Sequence, residues 1–168
     1  QNHFKLYAGY VTNTNKLLEE LKRTEKAGTL EYAELKRRFG WEFNGMRLHE
    51  LYFVNMVNGG KPLNRSGALA KVLTQEFGSI EVWIEDFKKT GSMRGIGWVI
   101  LAYDTATKRL FNVWINEHDV GHLAGCTPLL VMDVFEHAFM IDYGLNRVDY
   151  IKAFVEAIDF STVEARFK

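Results

Sequence analysis

The chain has 168 residues and 21 acidic against 21 basic side chains, so its formal net charge is zero. With 47% hydrophobic and 25% charged residues it has the make-up of a folded globular chain, enough for one domain or two small layers sharing a core. These proportions exclude a disordered tail, a collagen-like fibre and a uniformly basic, nucleic-acid-binding surface, while leaving room for a local basic funnel. Aromatic residues at 14% and only two prolines point to an aromatic-rich core with helices. The single cysteine, Cys126, has no partner for an internal disulfide. That is the pattern of a reducing compartment, and a cytoplasmic location is expected. No apolar run approaches the ~20 residues of a membrane span, so no membrane association is expected. The sequence opens at Gln1 without Met and without a visible signal peptide, and a processed or trimmed start is expected.

Residues 2–26 read as a helix with His3, Tyr7, Tyr10, Thr14, Leu17 and Leu21 on one face, stopped by Ala27-Gly28. A second helical pattern covers 31–57, with a stripe of Leu35, Phe39, Met46, His49, Tyr52 or Phe53, and Met56. Gly40 and Gly45 interrupt it, each at ~1 kcal/mol relative to Ala. Either the helix breaks near Gly40, or something packs too close to the backbone there for a side chain. The short link between the two helices predicts an antiparallel hairpin. Asn58-Gly59-Gly60-Lys61-Pro62 is the best internal boundary, dividing a helical hairpin domain, 1–60, from an α/β domain, 61–168, with a metal site between them.

Short helices follow over 66–77 and 79–89, the second capped by Ser79 with Glu81 in its first turn. The period then shifts. Residues 97–103 and 109–115 read as strands of a hairpin joined by the polar turn 104–108, and 129–134 as a third strand. A closing helix runs from Arg147 to about Ile158. The fold class is α+β: an N-terminal antiparallel helical hairpin, then a C-terminal domain with a small three-stranded antiparallel sheet surrounded by helices.

The histidines are His3, His49, His118, His122 and His137. His3 and His49 each lie on the apolar stripe of a helix, and two inward imidazoles on packed helices can meet at one metal ion. Asp133 ends a buried strand and His137 follows four residues later. A carboxylate directed into a core is costly without a partner, and a metal ion removes that cost. His3, His49, Asp133 and His137 make a donor set of three nitrogens and one oxygen, which suits iron, manganese or zinc rather than copper(I). A rival local reading pairs His118 with His122, four residues apart on a helix, with Asp119 as a third ligand. Gly121 and Gly125 argue against a helix there.

Further runs carry a resemblance. Asp133-Val134-Phe135-Glu136-His137-Ala138, followed by Leu145-Asn146-Arg147-Val148-Asp149-Tyr150, resembles the D-x-W-E-H-A and N-x-R-x-x-Y signature of iron/manganese superoxide dismutases. Leu145 stands where that pattern has Asn, and Phe135 where it has Trp. Gly95-Ile96-Gly97-Trp98, Thr127-Pro128-Leu129-Leu130, Tyr10-Val11-Thr12-Asn13 and His49-Glu50-Leu51-Tyr52-Phe53 are similar to further stretches of the family, in the same order along the chain.

The resemblance implies a homodimer or tetramer that converts superoxide to oxygen and peroxide at one iron or manganese ion per chain. It implies His3, His49, Asp133 and His137 as ligands, with solvent as a fifth. Glu136 would reach across a dimer interface to orient the partner's His137, and Trp98 would wall the cavity. His118 falls where a sheet-borne partner of the bound solvent sits, a role Gly45 cannot fill from the second helix. His at that place leans the choice toward iron. The gateway tyrosine is Tyr10 or Tyr7, since Tyr7 stands where the family has a His and Tyr10 comes one residue early. His118 with either tyrosine would relay a proton. Arg147 would add positive potential at the entrance or form a structural ion pair, and Lys5, Lys61 or Arg65 are offered for steering. Phe139-Met140 replaces the usual Tyr-Tyr, which changes the interface. Two other readings are a non-catalytic metal- or partner-binding protein of this fold, and a zinc hydrolase using the same ligands.

Overall fold

A computed structural model describes residues 2–168. Its helices and strands, in chain order, are α1 (Asn2–Glu20), α2 (Leu30–Val54), α3 (Ala68–Phe77), α4 (Ile80–Gly91), β1 (Gly97–Asp104), β2 (Arg109–Asn116), β3 (Cys126–Asp133), α5 (Glu136–Tyr143), α6 (Arg147–Glu156) and α7 (Phe160–Arg166). The α+β architecture read from the sequence is the one observed. Gln1, the first residue of the 1–60 segment, lies outside the described residues.

The hairpin of α1 and α2 differs from expectation at its turn. α1 stops at Glu20, six residues early, and a 3-10 turn at Thr24–Lys26 reverses the chain. Two bonds close the reversal: the Tyr32 hydroxyl donates to Leu21 O at 3.3 Å, and Thr29 caps α2 by accepting the Tyr32 N–H at 3.2 Å. α2 then runs unbroken through both glycines. At Gly40 a Cβ would meet nothing within 4 Å, so neither alternative expected there holds. The close approach is one turn further on. A Cβ at Gly45 would stand 2.6 Å from Tyr10 Cδ1. Gly45 thus lets the Tyr10 ring of α1 lie flat against the α2 backbone.

The sheet is antiparallel in the order β2-β1-β3. β1 is central and buried from Gly97 through Tyr103, which is why it reads as a continuous apolar run rather than an alternating one. Gly97 sits at φ +131°, and a Cβ there would lie 1.9 Å from Ile115 O. Only glycine allows β1 to start this close to β2, and Trp98 is delivered next to it. β3 begins at Cys126, three residues before the expected 129. It is an edge strand, so Pro128 costs no ladder bond on its open side. A register shift between Leu101 and Ala102 accommodates one extra residue of β3.

Two short helices were not expected. α5 starts three residues after β3 ends, and α7, not α6, closes the chain. Arg166 of α7 reaches back to donate to Asn55 Oδ1 and Leu129 O, both at 2.7 Å. The glycine-rich segment after α2 is pinned to the same end, Val57 N–H to Ala157 O at 2.9 Å and Lys61 N–H to Ile158 O at 2.8 Å. Ser79 caps α4 as expected, accepting the Val82 N–H at 3.1 Å. The core lies between the sheet and the helices, around Trp83, Phe87, Trp98, Leu101, Leu130 and Met132, all inaccessible to solvent. Among the described residues no helix is long and apolar enough to cross a membrane.

Candidate metal centre

Four elements bring one side chain each to a single point. His3 comes from the first turn of α1, His49 from the last two turns of α2, Asp133 from the last position of β3 and His137 from the first turn of α5. One donor atom from each lies within 4.8 Å of every other. The three imidazoles converge on one carboxylate oxygen. Asp133 Oδ2 is 2.9 Å from His3 Nε2, 3.1 Å from His137 Nε2 and 3.8 Å from His49 Nε2. Donor atoms bound to a common ion at ~2.1 Å stand about 3 Å apart at right angles, so these separations match a shared coordination sphere.

Local structure fixes each group. Asp133 Oδ1 accepts the Phe135 N–H at 2.8 Å, which turns the chain from β3 into α5 and leaves Oδ2 facing the imidazoles. The Asp133 carbonyl accepts the Tyr150 hydroxyl at 2.6 Å, and Tyr150 in turn meets the Tyr52 hydroxyl at 3.1 Å. His49 donates Nδ1–H to the Gly45 carbonyl at 2.6 Å. Its proton is therefore on Nδ1, and Nε2 carries a lone pair.

That lone pair tests whether an ion fits. His49 is fully buried, and among the described residues its Nε2 is one of the few buried side-chain polar atoms with no hydrogen-bond partner. It faces the Asp133 carboxylate oxygen, so lone pair confronts lone pair across 3.8 Å. A cation placed between them would meet both lone pairs at once, so the pair fits a metal ion. Burial lowers the His49 basicity further, against the pull of Asp133. Burial pushes the Asp133 carboxyl up, but the bonds from His137 and His3 outweigh it and hold it down to about 2. A carboxylate that stays ionised in the core beside an unprotonated imidazole is a cation-binding pair.

Around this cluster lies a second set of contacts. His118 is buried, and both ring nitrogens are engaged. Trp98 Nε1–H donates to His118 Nδ1 at 3.0 Å. An indole nitrogen can only donate, so Nδ1 is the acceptor and the ring hydrogen is on Nε2. Burial lowers the His118 pKa to about 4, which keeps the ring neutral. Nε2–H then donates to the Tyr10 phenol oxygen at 2.8 Å. The Tyr10 ring stacks on His49 at 5.3 Å between centroids, and burial, with Asp133 and Glu42 nearby, raises its phenol to about 12.

Other expected residues stand further out. Tyr7 does not join His118; its hydroxyl donates to Glu50 Oε1 at 3.1 Å. Glu136 is exposed at the start of α5. Arg147 donates to the Met93 and Gly95 carbonyls, both at 2.7 Å, and so fastens the loop before β1. His122 is not beside a second ligand. Its Nε2–H donates to His118 O at 2.9 Å, and the segment is not helical.

Two neighbours escaped the sequence reading. Trp41 packs edge-on to His118 at 4.6 Å and donates Nε1–H to Glu117 Oε2 at 2.9 Å. Glu42 is a carboxylate only 2% exposed. For Trp41 the signal was available: it lies four residues before Gly45 and eight before His49, hence on the same face of α2.

Residues 65–166 match the family described as iron/manganese superoxide dismutases, C-terminal domain. The chain belongs to the iron/manganese superoxide dismutase family. It is 35% identical over 170 residues to a manganese superoxide dismutase of Haloferax volcanii, covering 99% of this chain and 83% of that protein. It is 32% identical over 171 residues to an iron superoxide dismutase of Saccharolobus solfataricus, covering 96% and 80%. An iron superoxide dismutase of Aquifex pyrophilus is 34% identical over 174 residues, covering 99% and 81%. Superoxide dismutases named for each metal thus resemble this chain to within a few per cent of identity. The donor chemistry agrees, since imidazole and carboxylate suit both ions.

Proposed function

We propose that the chain dismutates superoxide at one iron or manganese ion held by His3, His49, Asp133 and His137. The observation that carries this reading is the unpartnered His49 Nε2 facing a buried carboxylate in a family whose members are superoxide dismutases. The bound ion would supply the redox chemistry, taking an electron from one superoxide and giving one to the next. Two superoxide anions and two protons become one oxygen and one hydrogen peroxide.

The chain's own groups would manage position and protons. The Gly45 carbonyl holds the His49 ring by Nδ1, and the Phe135 N–H holds the Asp133 carboxylate by Oδ1. Trp98 fixes the His118 tautomer, so His118 has one hydrogen to offer, on Nε2. Solvent at the ion would share that hydrogen with Tyr10. A phenol held near 12 stays protonated at neutral pH, so Tyr10 is a proton donor rather than a tyrosinate. Of the two gateway candidates, the bond to His118 favours Tyr10, and Tyr7 is occupied by Glu50.

We further propose a homodimer in which Glu136 orients the partner's His137. Large apolar side chains exposed on and beside α5 support it: Ile141 is 68% and Leu145 90% exposed. The division into 1–60 and 61–168, with the site between, is part of the same reading, as is a cytoplasmic location. Reconstitution with iron and with manganese, followed by elemental analysis and a superoxide assay, tests the function. About one ion per chain with dismutation in at least one form is expected. Full occupancy with no dismutation in either form would leave a non-catalytic member of the family.

A further inference from the structure

The link between β2 and β3 buries one residue at its start. Glu117 and Asp119 are exposed, and His118 between them is inaccessible to solvent. Asn116 and Val120 close the segment on itself, Asn116 N–H to Val120 O at 2.8 Å and Val120 N–H to Asn116 O at 3.3 Å, so His118 stands at the tip of a tight turn. The chain reverses at Glu117, whose φ is +52°, a left-handed value that is costly for a residue with a Cβ. His122 returns to the turn by donating to His118 O at 2.9 Å.

These bonds shape the turn but do not tie it to the rest of the fold. Among the described residues, three side-chain bonds do. Two pass through the His118 ring: Trp98 Nε1–H donates to Nδ1 at 3.0 Å, and Nε2–H donates to the Tyr10 oxygen at 2.8 Å. The third bypasses the ring. Trp41 of α2 donates Nε1–H to Glu117 Oε2 at 2.9 Å. The same indole lies edge-on to the His118 ring, with centroids 4.6 Å apart, and the Arg38 guanidinium covers it at 4.0 Å. One side chain, set between Arg38 and His118, thus both holds the turn and covers its buried tip.

We propose that Trp41 and Glu117 form a clasp that positions His118 beside the ion. The inference rests on the dismutase reading, in which His118 offers its Nε2 hydrogen to solvent at the ion. Sharing that hydrogen weakens one of the two anchors that run through the ring. The Trp41–Glu117 bond is the anchor that such sharing leaves intact. It also fastens the turn to α2, the helix that carries His49 two turns further on, so His118 keeps its place relative to a ligand. Trp41 and Glu117 touch neither ion nor superoxide. Both act through His118 and are positioning residues. A single bond at the surface contributes little to global stability, so its effect falls on local opening of the turn.

The test compares the metal-loaded protein with Trp41→Phe, Glu117→Ala, the double variant and Glu117→Gln. Phenylalanine keeps a ring over His118 and loses the bond, whereas glutamine keeps an oxygen to accept it. Amide hydrogen exchange over residues 116–123 is expected to run about tenfold faster in the first three variants than in the unaltered protein. In the same three kcat should fall about tenfold, the low end of what outer partners of a metal site contribute, and the reduction potential of the bound ion should shift by one common amount. Metal content and Tm should hold. The double variant should be no worse than either single one, since all three lack the same bond. Glu117→Gln should keep slow exchange, the unaltered potential and most of the rate. Additive losses in the double variant, Glu117→Gln behaving like Glu117→Ala, or an unmoved exchange rate, kcat or potential in Glu117→Ala would overturn the proposal. If Trp41→Phe does not fold, the two Glu117 variants decide. An unaltered enzyme inactive with both metals defeats the dismutase reading itself, and exchange and potential still judge the clasp.

Discussion

Gly40 and Gly45 lie in one helix five residues apart, yet alanine at each should have opposite effects. At Gly40 the added Cβ meets nothing within 4 Å. Gly40→Ala should stabilise by up to about 1 kcal/mol, the ordinary helix-propensity difference. At Gly45 the Cβ would stand 2.6 Å from Tyr10 Cδ1 and 2.8 Å from Cε1. Normal contact begins near 3.4 Å, so the ring must retreat by about 0.8 Å. Its hydroxyl is held at 2.8 Å by His118, and a shift of that size takes the bond beyond useful length. Overpacking of this kind costs about 1–3 kcal/mol, against the same ~1 kcal/mol gain in propensity. Gly45→Ala should therefore lose up to about 2 kcal/mol net, as much as several degrees in Tm at this chain length. Urea denaturation of both variants, beside superoxide assays on the metal-loaded proteins, measures the effect. Gly40→Ala should stay fully active and Gly45→Ala should not. Equal stabilisation by both would refute the claim that Gly45 exists to seat Tyr10.

Other predictions separate the remaining roles. Tyr10→Phe leaves a buried His118 Nε2–H without its acceptor and should cost about 1–3 kcal/mol together with activity, whereas Tyr7→Phe gives up one half-buried bond to Glu50 and should cost under about 1 kcal/mol with little loss of rate. Denaturation and kinetics on the pair would contradict this if the order were reversed. Asp133 titrates near 2 when folded against an ordinary 3.8, so its stabilisation of the metal-free protein is complete above about pH 4 and lost as pH falls toward 2. That contribution is on the order of 2 kcal/mol, and Asp133→Asn should flatten the acid limb of urea denaturation curves. Chelation should lower the Tm of the metal-loaded protein, by the equivalent of about 2.7 kcal/mol if free metal had stood at a hundred times its Kd. The same treatment should leave the Tm of His49→Ala unmoved, and equal shifts in both would place the ion elsewhere.

The parts of the fold legible in the sequence were those with long periodicity or strong local chemistry. The hairpin helices, the strand pair around the polar turn and the Ser79 cap all belong to that class. α5 and α7 were missed because eight and seven residues give barely two turns of pattern. α5 also follows directly on the apolar run of β3, which hides its start. The end of α1 was overrun because Leu21 continues its stripe, while the reversal depends on contacts from Tyr32 and Thr29, outside the helix. His3, His49, Asp133 and His137 were legible as inward polar groups on apolar faces, where a lone charge would be too costly. Choosing Tyr10 over Tyr7 needed coordinates, because both share a helix face and only the Glu50 contact draws Tyr7 away. Trp41 and Glu42 were passed over as ordinary helix residues. The signal of Glu42 is its burial, which no spacing rule reveals.

The account rests on one ion bound between His49 Nε2 and Asp133 Oδ2. Crystals of the metal-reconstituted protein, measured at the iron and manganese absorption edges, address it directly. The account predicts a single anomalous peak within coordination distance of His3, His49, Asp133 and His137, and no comparable peak near His122. A four-residue cluster without that peak, in protein that carries the metal in solution, would contradict it.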